Sequence, residues 1–396
     1  MKIAVVLESS DPLSGGGFTF QEDLFMQIAE NHLHLKNEYC IFLSKKQMPK
    51  VSNNIKKIEI IPFKITLRDK ILRLLRRNFK WPRLLFKIKT NLEKKLRRNQ
   101  IDICLFITPQ MNVVEYPYVT IVWDLEHRIS PFFPEVSSGG EWDAREKGNR
   151  NVLQRAMAII IGSDVGKNEI EKSYGIFENR IWKLPHPTPR FAIIPNRAEN
   201  PSEKLLIKIK DKKFLFYPAQ FWAHKNHFNL ILAFKKVVEL KKDVYLVLTG
   251  GDKGNLHYIK SIVLKEKLED RVIFSGFVSR VDLYYLYKNA IALIYPSFCG
   301  PENLPPLEAM ALNCLVLASD ISGAREQLNG CFIGFNPYSI DDMANTISRI
   351  LINVNTYNEI KEIARKRSES WTSKEFVENL DKRISLLEPL RKTWFF

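Results

Sequence analysis

A loop between an apolar run and a helical pattern combines groups that could bind an anion and hydroxyls. The run Asn303–Pro306 forms this loop, and a proline suits the first turn of a helix. We therefore expect the backbone N–H groups near Asn303 and Leu304, together with the helix dipole, to face an anion. Glu308 lies one turn further, where its carboxylate can accept charge-assisted hydrogen bonds from vicinal hydroxyls such as a ribose diol.

A lysine follows another apolar run in the second half of the chain. The run Phe214–Tyr217 leads into a polar loop that contains Gln220 and Lys225, and a helical pattern begins after it. Ligands of open α/β folds bind at the carboxyl edge of the sheet, where such a loop lies. A lysine at this edge can neutralise a diphosphate as a point charge. A solvated lysine at a helix start is the alternative.

Three consecutive glycines follow the first apolar run of the chain. Gly15, Gly16 and Gly17 precede a helical pattern that we expect to begin near Phe20. Glycines in this position allow backbone N–H groups to approach an anion at a helix N-terminus. The dinucleotide pattern G-x-G-x-x-G is not met, because Phe20 occupies its third glycine position. A plain tight turn remains the alternative.

Strands and helices must alternate to position these loops. Runs apolar on both faces suit parallel strands buried between helices, so the alternation predicts doubly wound α/β sheets. Helices over Asn358–Ser370 and Ser373–Leu387 would close the chain. The predicted strands are Lys2–Leu7, Tyr39–Leu43, Ile58–Pro62, Ile103–Phe106, Val119–Val122, Ala158–Ile161, Ile181–Leu184, Phe214–Tyr217, Tyr245–Leu248, Val272–Phe274, Ala290–Ile294, Leu315–Leu317 and Phe332–Gly334.

A proline-rich stretch divides the two series of strands. The chain has 396 residues, and domains of roughly 100–200 residues favour two of them. Five prolines and no clear period between Pro185 and Lys204 indicate a linker. We expect a Rossmann-like domain over 1–190, a linker over 191–212, a second Rossmann-like domain over 213–375, and a C-terminal helix or tail over 376–396 that returns to the first domain.

Positive charge is concentrated in one segment of the first domain. The whole chain has a formal net charge of +16, and Lys64–Arg98 contains fourteen basic and two acidic residues. We expect two basic amphipathic helices here, the second starting at Pro82, that contact an anionic membrane surface. Surface helices with a solvated basic face are the alternative, and no nucleic-acid-binding motif is present. The apolar positions at helical spacing are Leu67, Ile71, Leu74 and Leu75, then Leu85, Ile88, Leu92 and Leu96.

Cysteine usage and hydropathy indicate the compartment. The five cysteines show no C-x-x-C or Cys/His spacing, so we expect reduced thiols in a cytoplasmic protein and no metal site. No run of about 18 apolar residues could span a bilayer. We expect the first residues to form a β-strand rather than a signal peptide. These expectations place the protein in the cytoplasm, peripherally on the inner face of the cell membrane.

The motifs together resemble those of family 4 glycosyltransferases, which have the two-domain GT-B fold. Tyr-Pro-Ser, Glu308 eleven residues after that serine, Ala-Met-Ala and a later Ala-Ser-Asp match the family signature in order. The resemblance implies transfer of a sugar from a GDP- or UDP-linked donor, with retention and without a catalytic metal or cofactor. The chain is similar to bacterial surface-polysaccharide transferases, which suggests a hexose, weakly favoured as mannose, and a lipid-linked or polysaccharide acceptor.

The resemblance assigns roles to residues of the donor domain. Lys225 matches the lysine that binds the donor diphosphate, whereas Gln220 stands where an arginine is usual. Glu308 matches the second of two glutamates, the one on the ribose. The first glutamate position is Gly300, and Glu302, two places later, could take its sugar-hydroxyl role.

Further donor-binding positions also follow from the resemblance. Gly250 and Gly251 match a loop after a donor-domain strand. Phe277 and Val278 fit the segment that holds the nucleotide base through backbone contacts.

One stretch of the first domain resembles the His-Asp-Leu sequence near the family's acceptor. It runs from Trp123 to Arg128, with Trp123 in place of the histidine. Asp124 or His127 could orient an acceptor hydroxyl. An ordinary polar loop is the alternative for both.

The implied mechanism is front-face attack on an oxocarbenium-like centre, so departure of the diphosphate needs most help. Lys225 and the helix start at Asn303–Leu304 would stabilise that charge, and Gly15–Gly17 would close over the phosphates or sugar.

Two alternative functions stay open. One is another nucleotide-sugar enzyme, such as an epimerase. The other is a non-catalytic carbohydrate-binding or membrane-surface subunit, favoured by the departures at Gln220 and Gly300.

Overall fold

The computed structural model describes residues 1–7, 15–44, 58–78, 87–194 and 200–393. Their chain forms two compact units. Unit 1 comprises Met1–Phe132, Val136–Pro185 and Ser373–Phe396, and unit 2 comprises Phe133–Glu135 and His186–Thr372. Each unit is built on one parallel sheet, so the predicted pair of doubly wound α/β domains is confirmed.

The described residues contain all thirteen predicted strands, and each end lies within two residues of its predicted position. The strands are β1 (Lys2–Leu7), β2 (Glu38–Ser44), β3 (Glu59–Phe63), β4 (Ile103–Phe106), β5 (Tyr118–Ile121), β6 (Ala158–Ile161), β7 (Ile181–Lys183), β8 (Lys213–Pro218), β9 (Val244–Thr249), β10 (Val272–Gly276), β11 (Ala292–Tyr295), β12 (Leu315–Ser319) and β13 (Ile333–Phe335).

Helices connect these strands in both units. They are α1 (Gly16–Asn31), α2 (Leu67–Asn78), α3 (Asn91–Arg98), α4 (Glu126–Ile129), α5 (Pro134–Ser137), α6 (Glu141–Leu153), α7 (Asp164–Tyr174), α8 (Arg190–Ile193), α9 (Glu203–Ile209), α10 (His227–Leu240), α11 (Leu256–Lys265), α12 (Arg280–Asn289), α13 (Leu304–Ala311), α14 (Ser322–Leu328), α15 (Ile340–Ile352), α16 (Asn358–Glu369), α17 (Ser373–Ser385) and α18 (Glu388–Arg391). Short 3-10 helices cover His32–His34, Ser138–Gly140, Glu178–Arg180, Ala223–Lys225 and Val354–Tyr357.

Unit 1 has a seven-stranded sheet in the order β3-β2-β1-β4-β5-β6-β7. Every neighbouring pair is parallel, and the central strands are buried on both faces, as their continuous apolar runs require. Helix α17 packs against α1, and the carboxylate of Asp381 on α17 accepts a hydrogen bond from the Tyr39 hydroxyl at 2.9 Å. The predicted return of the C-terminal helix to the first domain is therefore confirmed.

One predicted helix start in unit 1 differs from the structure, and another falls outside the described residues. Helix α1 begins at Gly16 rather than near Phe20, because the Gly15 carbonyl already accepts hydrogen bonds from the N–H groups of Phe18 and Thr19. Within the basic segment, α3 begins at Asn91, where Thr90 forms a capping box with the third residue of the helix. The predicted start at Pro82 lies outside the described residues.

Unit 2 has a six-stranded parallel sheet in the order β10-β9-β8-β11-β12-β13. Strands β8 and β11 are neighbours, with Leu215 opposite Ala292. Strands β8 to β10 are added toward one edge of the sheet and β11 to β13 toward the other. The carboxyl ends of β8 and β11 therefore form a topological switch point, where open α/β sheets bind ligands. Within the described ranges, no helix combines the length and apolar character needed to cross a membrane.

Candidate functional site

The loops after β8 and β11 bring together three polar side chains of unit 2. The Lys225 ammonium donates hydrogen bonds to the Tyr295 hydroxyl at 2.9 Å and to Asn303 Oδ1 at 3.1 Å. The Tyr295 hydroxyl also donates to Asn303 Oδ1, at 2.8 Å. An ammonium group has three N–H bonds, so this geometry leaves Lys225 able to donate to an anion as well.

The turn that carries Lys225 is fixed from both sides. The Tyr217 hydroxyl donates to the Lys225 carbonyl at 2.7 Å. The next residue, Asn226, adopts the left-handed conformation (φ +57°), which asparagine tolerates better than most residues. Its side-chain amide donates to the carbonyls of Pro296 and Pro337, both at 2.9 Å. The lysine backbone is therefore held in place by neighbouring loops.

The start of α13 differs from the sequence expectation. Asn303 precedes the helix, but its N–H donates to Gln327 Oε1 at 3.0 Å, while Gln327 Nε2 donates to the Asn303 carbonyl at 3.0 Å. This N–H therefore does not face an anion, because α14 brings Gln327 against it. Pro305 and Pro306 have no N–H, so the first turn offers the N–H group of Leu304.

Glu308 lies on α13 as predicted, and it is buried. One of its carboxylate oxygens accepts a hydrogen bond from the Tyr287 hydroxyl at 2.6 Å. Burial raises the pKa of Tyr287 well above its usual value, so the phenol stays protonated and keeps donating. The tyrosine fixes the orientation of a carboxylate that has further lone pairs for other donors.

Glu302 holds the segment that enters unit 2. Its side chain is only 3% exposed, and it accepts a hydrogen bond from the His186 N–H at 2.7 Å. The imidazole Nδ1 of His186 lies 3.4 Å from the other carboxylate oxygen. The contact gives Glu302 a role in fixing the chain, and its predicted contact with a sugar hydroxyl stays a prediction.

The loops after β8 and β9 run close together. Gly250 has a φ of +142°, and a Cβ atom there would lie 2.2 Å from the carbonyl oxygen of Ala219. A side chain at this position would therefore collide with backbone. Gly251 follows in the same loop, and Gln220 accepts a hydrogen bond from the Trp222 indole at 3.0 Å. These contacts bring together the three predicted donor residues Gln220, Gly250 and Gly251.

The segment predicted to hold a nucleotide base follows β10. Its preceding residue, Gly276, has a φ of +70°, and its carbonyl accepts a hydrogen bond from the Gly250 N–H at 2.9 Å. The side chain of Phe277 is 57% exposed, whereas Val278 packs partly buried against the core. Both residues therefore lie beside the glycine loop, at the same edge of the sheet.

The glycines of unit 1 lie at the start of α1. Gly15 has a φ of +76° and precedes the helix, and Gly16 and Gly17 form its first turn. A Cβ atom on Gly17 would lie 2.7 Å from the Trp123 ring. A packing contact therefore requires glycine at position 17, whether or not an anion binds nearby.

Asp124 and His127 have different environments in unit 1. The Asp124 side chain is 31% exposed, and it accepts a hydrogen bond from Arg145 at 3.1 Å. His127 is fully buried, with Nε2 3.3 Å from a Glu146 carboxylate oxygen. Burial lowers the pKa of His127, so the ring is neutral. His127 is thus not accessible to an acceptor hydroxyl, and this part of the expectation is corrected.

A second carboxylate near Asp124 was not found from the sequence. Burial raises the pKa of Glu169, on α7, to about 7, and the negative charges of Glu126 and Asp124 add to the shift. A glutamate on an amphipathic helix gives no sequence signal of this kind, because the shift depends on which loop packs against it. In the described residues, no three His, Cys, Asp or Glu side chains are arranged to hold a metal ion.

The basic segment presents an apolar surface on α2. Leu67, Ile71 and Leu74 are 74%, 50% and 51% exposed, and their spacing puts them on one face of the helix. The other face is fixed by an ion pair between Arg76 and Glu93 on α3, at 2.7 Å with both side chains fully buried. The exposed leucines and isoleucine therefore belong to a docked helix, with Arg68 and Lys70 exposed beside them.

The arrangement of the sheets defines the class of the protein. Sucrose-phosphate synthase from Thermosynechococcus elongatus matches 98% of this chain and 99% of its own, with a TM-score of 0.72 and 17% identity. HepE from Anabaena, solved in complex with UDP-glucose, matches 98% of this chain and 100% of its own, with a TM-score of 0.67 and 16% identity. The chain has the GT-B fold of glycosyltransferases.

The sequence of unit 2 matches a known family model. Residues 199–367 match the model described as glycosyl transferases group 1. The O-antigen chain mannosyltransferase RfbU of Salmonella typhimurium is 31% identical over 186 residues, which cover 47% of this chain and 48% of that protein. The match thus spans about half the length of this relative. The resemblance to glycosyltransferases is confirmed.

Proposed function

We propose that the protein is a retaining glycosyltransferase of cell-envelope glycan synthesis. It transfers a hexose, for which mannose is our candidate, from a nucleotide diphosphate sugar to a lipid-linked or polysaccharide acceptor. The observation that carries the proposal is the cluster of Lys225, Tyr295 and Asn303 at the switch point of a glycosyl transferases group 1 domain. The mannosyltransferase activity in the name of RfbU and the UDP-glucose in the HepE complex support the substrate class.

Lys225 stabilises the departing diphosphate in this proposal. Tyr295 and Asn303 hold the ammonium group through neutral oxygens, which orient its charge without neutralising it. The third N–H bond then points to a phosphate oxygen, where negative charge grows as the glycosidic bond breaks. Gln220 and the Gly250–Gly251 backbone contribute uncharged contacts to the same group.

Glu308 and the segment after β10 bind the nucleoside. With one carboxylate oxygen of Glu308 oriented by Tyr287, its remaining lone pairs accept hydrogen bonds from the ribose hydroxyls. The backbone of Phe277 and Val278 holds the base. Glu302 contributes to the sugar site through its second carboxylate oxygen or through the loop that it fixes.

Acceptor binding belongs to unit 1 in this proposal. The partly exposed carboxylate of Asp124 accepts a hydrogen bond from the acceptor hydroxyl and orients it for attack. His127 supports the same loop from its buried position against Glu146. Gly15 and Gly16, at the start of α1, offer backbone N–H groups to a phosphate or to a sugar hydroxyl.

We also propose that α2 docks on the inner face of the cell membrane. Its exposed apolar face suits insertion at the headgroup boundary, and each basic residue near anionic lipid adds about 1 kcal/mol of attraction. A membrane position would bring the enzyme to a lipid-linked acceptor. The exposed residues Leu67, Ile71 and Leu74 support this proposal.

The proposed function is tested by nucleotide binding and by product analysis. A thermal-shift panel compares GDP, UDP, ADP and their sugar conjugates without added metal. A nucleotide present at about 100 times its Kd should stabilise the protein by about 2.7 kcal/mol. We expect one nucleotide family to respond and its diphosphate to be released when acceptor is added. No response from the folded protein would contradict the proposal.

Two product patterns would favour the alternatives. Conversion of the sugar while it remains attached to the nucleotide would indicate an epimerase. Nucleotide binding with no diphosphate release across glycan and lipid-linked acceptors would indicate a binding subunit.

A further inference from the structure

Three residues from the N-terminal half of the sequence fold with unit 2. They are Phe133–Glu135, and the segments on both sides of them belong to unit 1. The Phe133 ring stacks on Phe298 with centroids 5.9 Å apart and lies edge-on to His224 at 6.0 Å. Both of these partners lie in the loops that surround Lys225. The tripeptide is therefore seated at the candidate site.

Glu135 binds His224 through its carboxylate. Its Oε1 accepts a hydrogen bond from the backbone N–H of His224 at 2.9 Å, and the imidazole Nδ1 of His224 donates to the same oxygen. The side chain of Glu135 is only 6% exposed. Burial by itself would raise the pKa of Glu135, but the hydrogen bonds from His224 outweigh it and hold the pKa below its usual value. Glu135 is therefore ionised at neutral pH.

His224 is held on its other side by the loop after β11. Its carbonyl accepts hydrogen bonds from the Phe298 N–H at 3.0 Å and from the Ser297 hydroxyl at 3.4 Å. Lys225 is the next residue in the chain, and the two belong to the same 3-10 turn. The backbone that leads to Lys225 thus lies between the Glu135 carboxylate and the loop after β11.

A displaced turn would move the Lys225 ammonium. Lys225 reaches Tyr295 and Asn303 from this turn, and a misplacement of about 1 Å at a reacting centre can cost on the order of 100-fold in rate. Glu135 binds the backbone N–H and the side chain of the preceding residue together, so it restricts both the position and the rotation of the turn.

We infer that Glu135 is a positioning residue for the diphosphate site: by holding His224 it orients the turn that presents Lys225 to the donor. The inference rests on the proposed function, because it needs Lys225 to bind the diphosphate. Glu135 acts through His224 and does not contact the substrate. The donor site of unit 2 then depends on a residue that the sequence places about ninety positions before Lys225.

The test compares Glu135→Ala and Glu135→Gln in the full chain. Each protein is titrated with the nucleoside diphosphate that stabilises the wild type, by isothermal calorimetry, and kcat and KM are measured. We expect Glu135→Ala to weaken nucleotide binding and to lower kcat, each by about tenfold, the scale of coupling between contacting residues. Glu135→Gln keeps an oxygen that can accept the His224 N–H, so it should recover part of the loss.

The decisive measurement is a double-mutant cycle with Lys225→Ala. If Glu135 acts through Lys225, Glu135→Ala should weaken nucleotide binding much less in the Lys225→Ala background than in the wild type. A merely stabilising contact would give the same change in both backgrounds, and that result would overturn the inference. If Glu135→Ala does not fold, the cycle is made with Glu135→Gln.

A matched control variant and the wild-type protein distinguish a failure of this inference from a failure of the proposed function. Glu266→Gln removes an ion pair with Lys235 at 2.6 Å. This pair lies in the same unit, between α10 and the residue that follows α11, and its loss should leave nucleotide affinity unchanged. Wild-type binding with unchanged affinity in both Glu135 variants would overturn this inference alone. Absence of nucleotide binding by the wild type would overturn the proposed function and this inference with it.

Discussion

The two side-chain partners of Lys225 are neutral, so neither offsets the positive charge of its ammonium group. The Tyr295 hydroxyl and Asn303 Oδ1 accept its hydrogen bonds at 2.9 and 3.1 Å. A carboxylate in either place would orient the ammonium group equally well, but it would also offset the attraction for a diphosphate. Gln220 supplies no second charge to the same edge of the sheet. The electrostatic stabilisation of a leaving group therefore depends strongly on one residue.

Removal of this ammonium should reduce turnover more than it reduces stability. We expect Lys225→Ala to lower kcat by more than about 100-fold, the scale of losing one contact made with the transition-state charge. The measurement is the initial rate of nucleoside diphosphate release at saturating donor. Lys213→Ala is the control, since that lysine forms an exposed pair with Asp243 at 3.2 Å. Wild-type rates in Lys225→Ala would contradict the assignment of the diphosphate site.

Glu169 should make unit 1 less stable as pH rises. Burial, followed by the charges of Glu126 and Asp124, raises its pKa in the folded protein to about 7, above the usual value near 4.5. Between about pH 4.5 and 7 the folded state therefore holds a proton that the unfolded chain has lost. The stability that this proton contributes is complete below about pH 4.5, decreases above it, and is lost as pH rises through 7. We expect the Tm of Glu169→Gln to fall less between pH 5 and 8 than the Tm of the wild type.

The pH prediction is checked by thermal denaturation in a series of buffers of equal ionic strength. Glu171→Gln, on the same helix α7, controls for a general loss of negative charge. If the pH profile of Glu169→Gln follows that of the wild type, the carboxylate is ionised in the folded protein and the raised pKa is wrong.

The sequence indicated some residues of the site and not others, for a physical reason. Lys225, Asn303 and Glu308 lie where a strand ends and a helix begins, and this local pattern is visible in one stretch of sequence. Gln327 contacts Asn303, 24 positions away in the sequence, and Glu135 contacts His224, 89 positions away. Their contacts exist because two separate loops meet in three dimensions, so no local pattern in the sequence indicates them.

The elements themselves were more predictable than their ends. All thirteen strands of the described residues appeared as apolar runs, because a strand buried on both faces needs apolar side chains throughout. The start of α1 was misplaced because its first turn is made of Gly16 and Gly17, which no helical pattern would include. The start of α3 is marked by the capping box at Thr90, a local signal that is separate from apolar spacing.

The exposed face of α2 predicts membrane binding that can be removed without unfolding. We expect the combined substitution Leu67→Ser, Ile71→Ser and Leu74→Ser to weaken binding to anionic vesicles by about tenfold or more, since each exposed apolar side chain otherwise enters the headgroup boundary. Sedimentation with phosphatidylcholine vesicles, with and without phosphatidylglycerol, measures the effect. The Tm should change little, because the buried Arg76–Glu93 pair that docks the helix is intact.

A matched triple substitution on unit 2 controls for the loss of exposed apolar surface. Leu240, Leu264 and Ile352 are exposed to a similar or greater degree, and their replacement by serine should leave vesicle binding unchanged. Equal binding by the α2 variant and the wild type would leave α2 as a surface helix with a solvated basic face.

The two ends of the described chain meet in unit 1. Helix α17 follows the whole of unit 2 in sequence, yet it packs against α1, the first α-helix of the described residues. Its Asp381 is buried and accepts hydrogen bonds from the Lys36 N–H at 2.7 Å, the Asn37 side chain at 2.7 Å and the Tyr39 hydroxyl at 2.9 Å. Unit 1 is therefore completed only after unit 2 has been synthesised.

Asp381→Ala should destabilise unit 1 and leave unit 2 intact. The substitution removes a buried acceptor and leaves the Asn37 amide and the Tyr39 hydroxyl without this partner, a loss of about 3 kcal/mol. For a unit of this size the Tm should fall by about 10 °C. Calorimetry would detect it as a shift of one transition, while nucleotide binding to unit 2 persists below that transition. Glu378→Ala, at an exposed position of the same helix, should change neither. If Asp381→Ala instead melts like the wild type, the return of the C-terminal helix contributes little to the stability of unit 1.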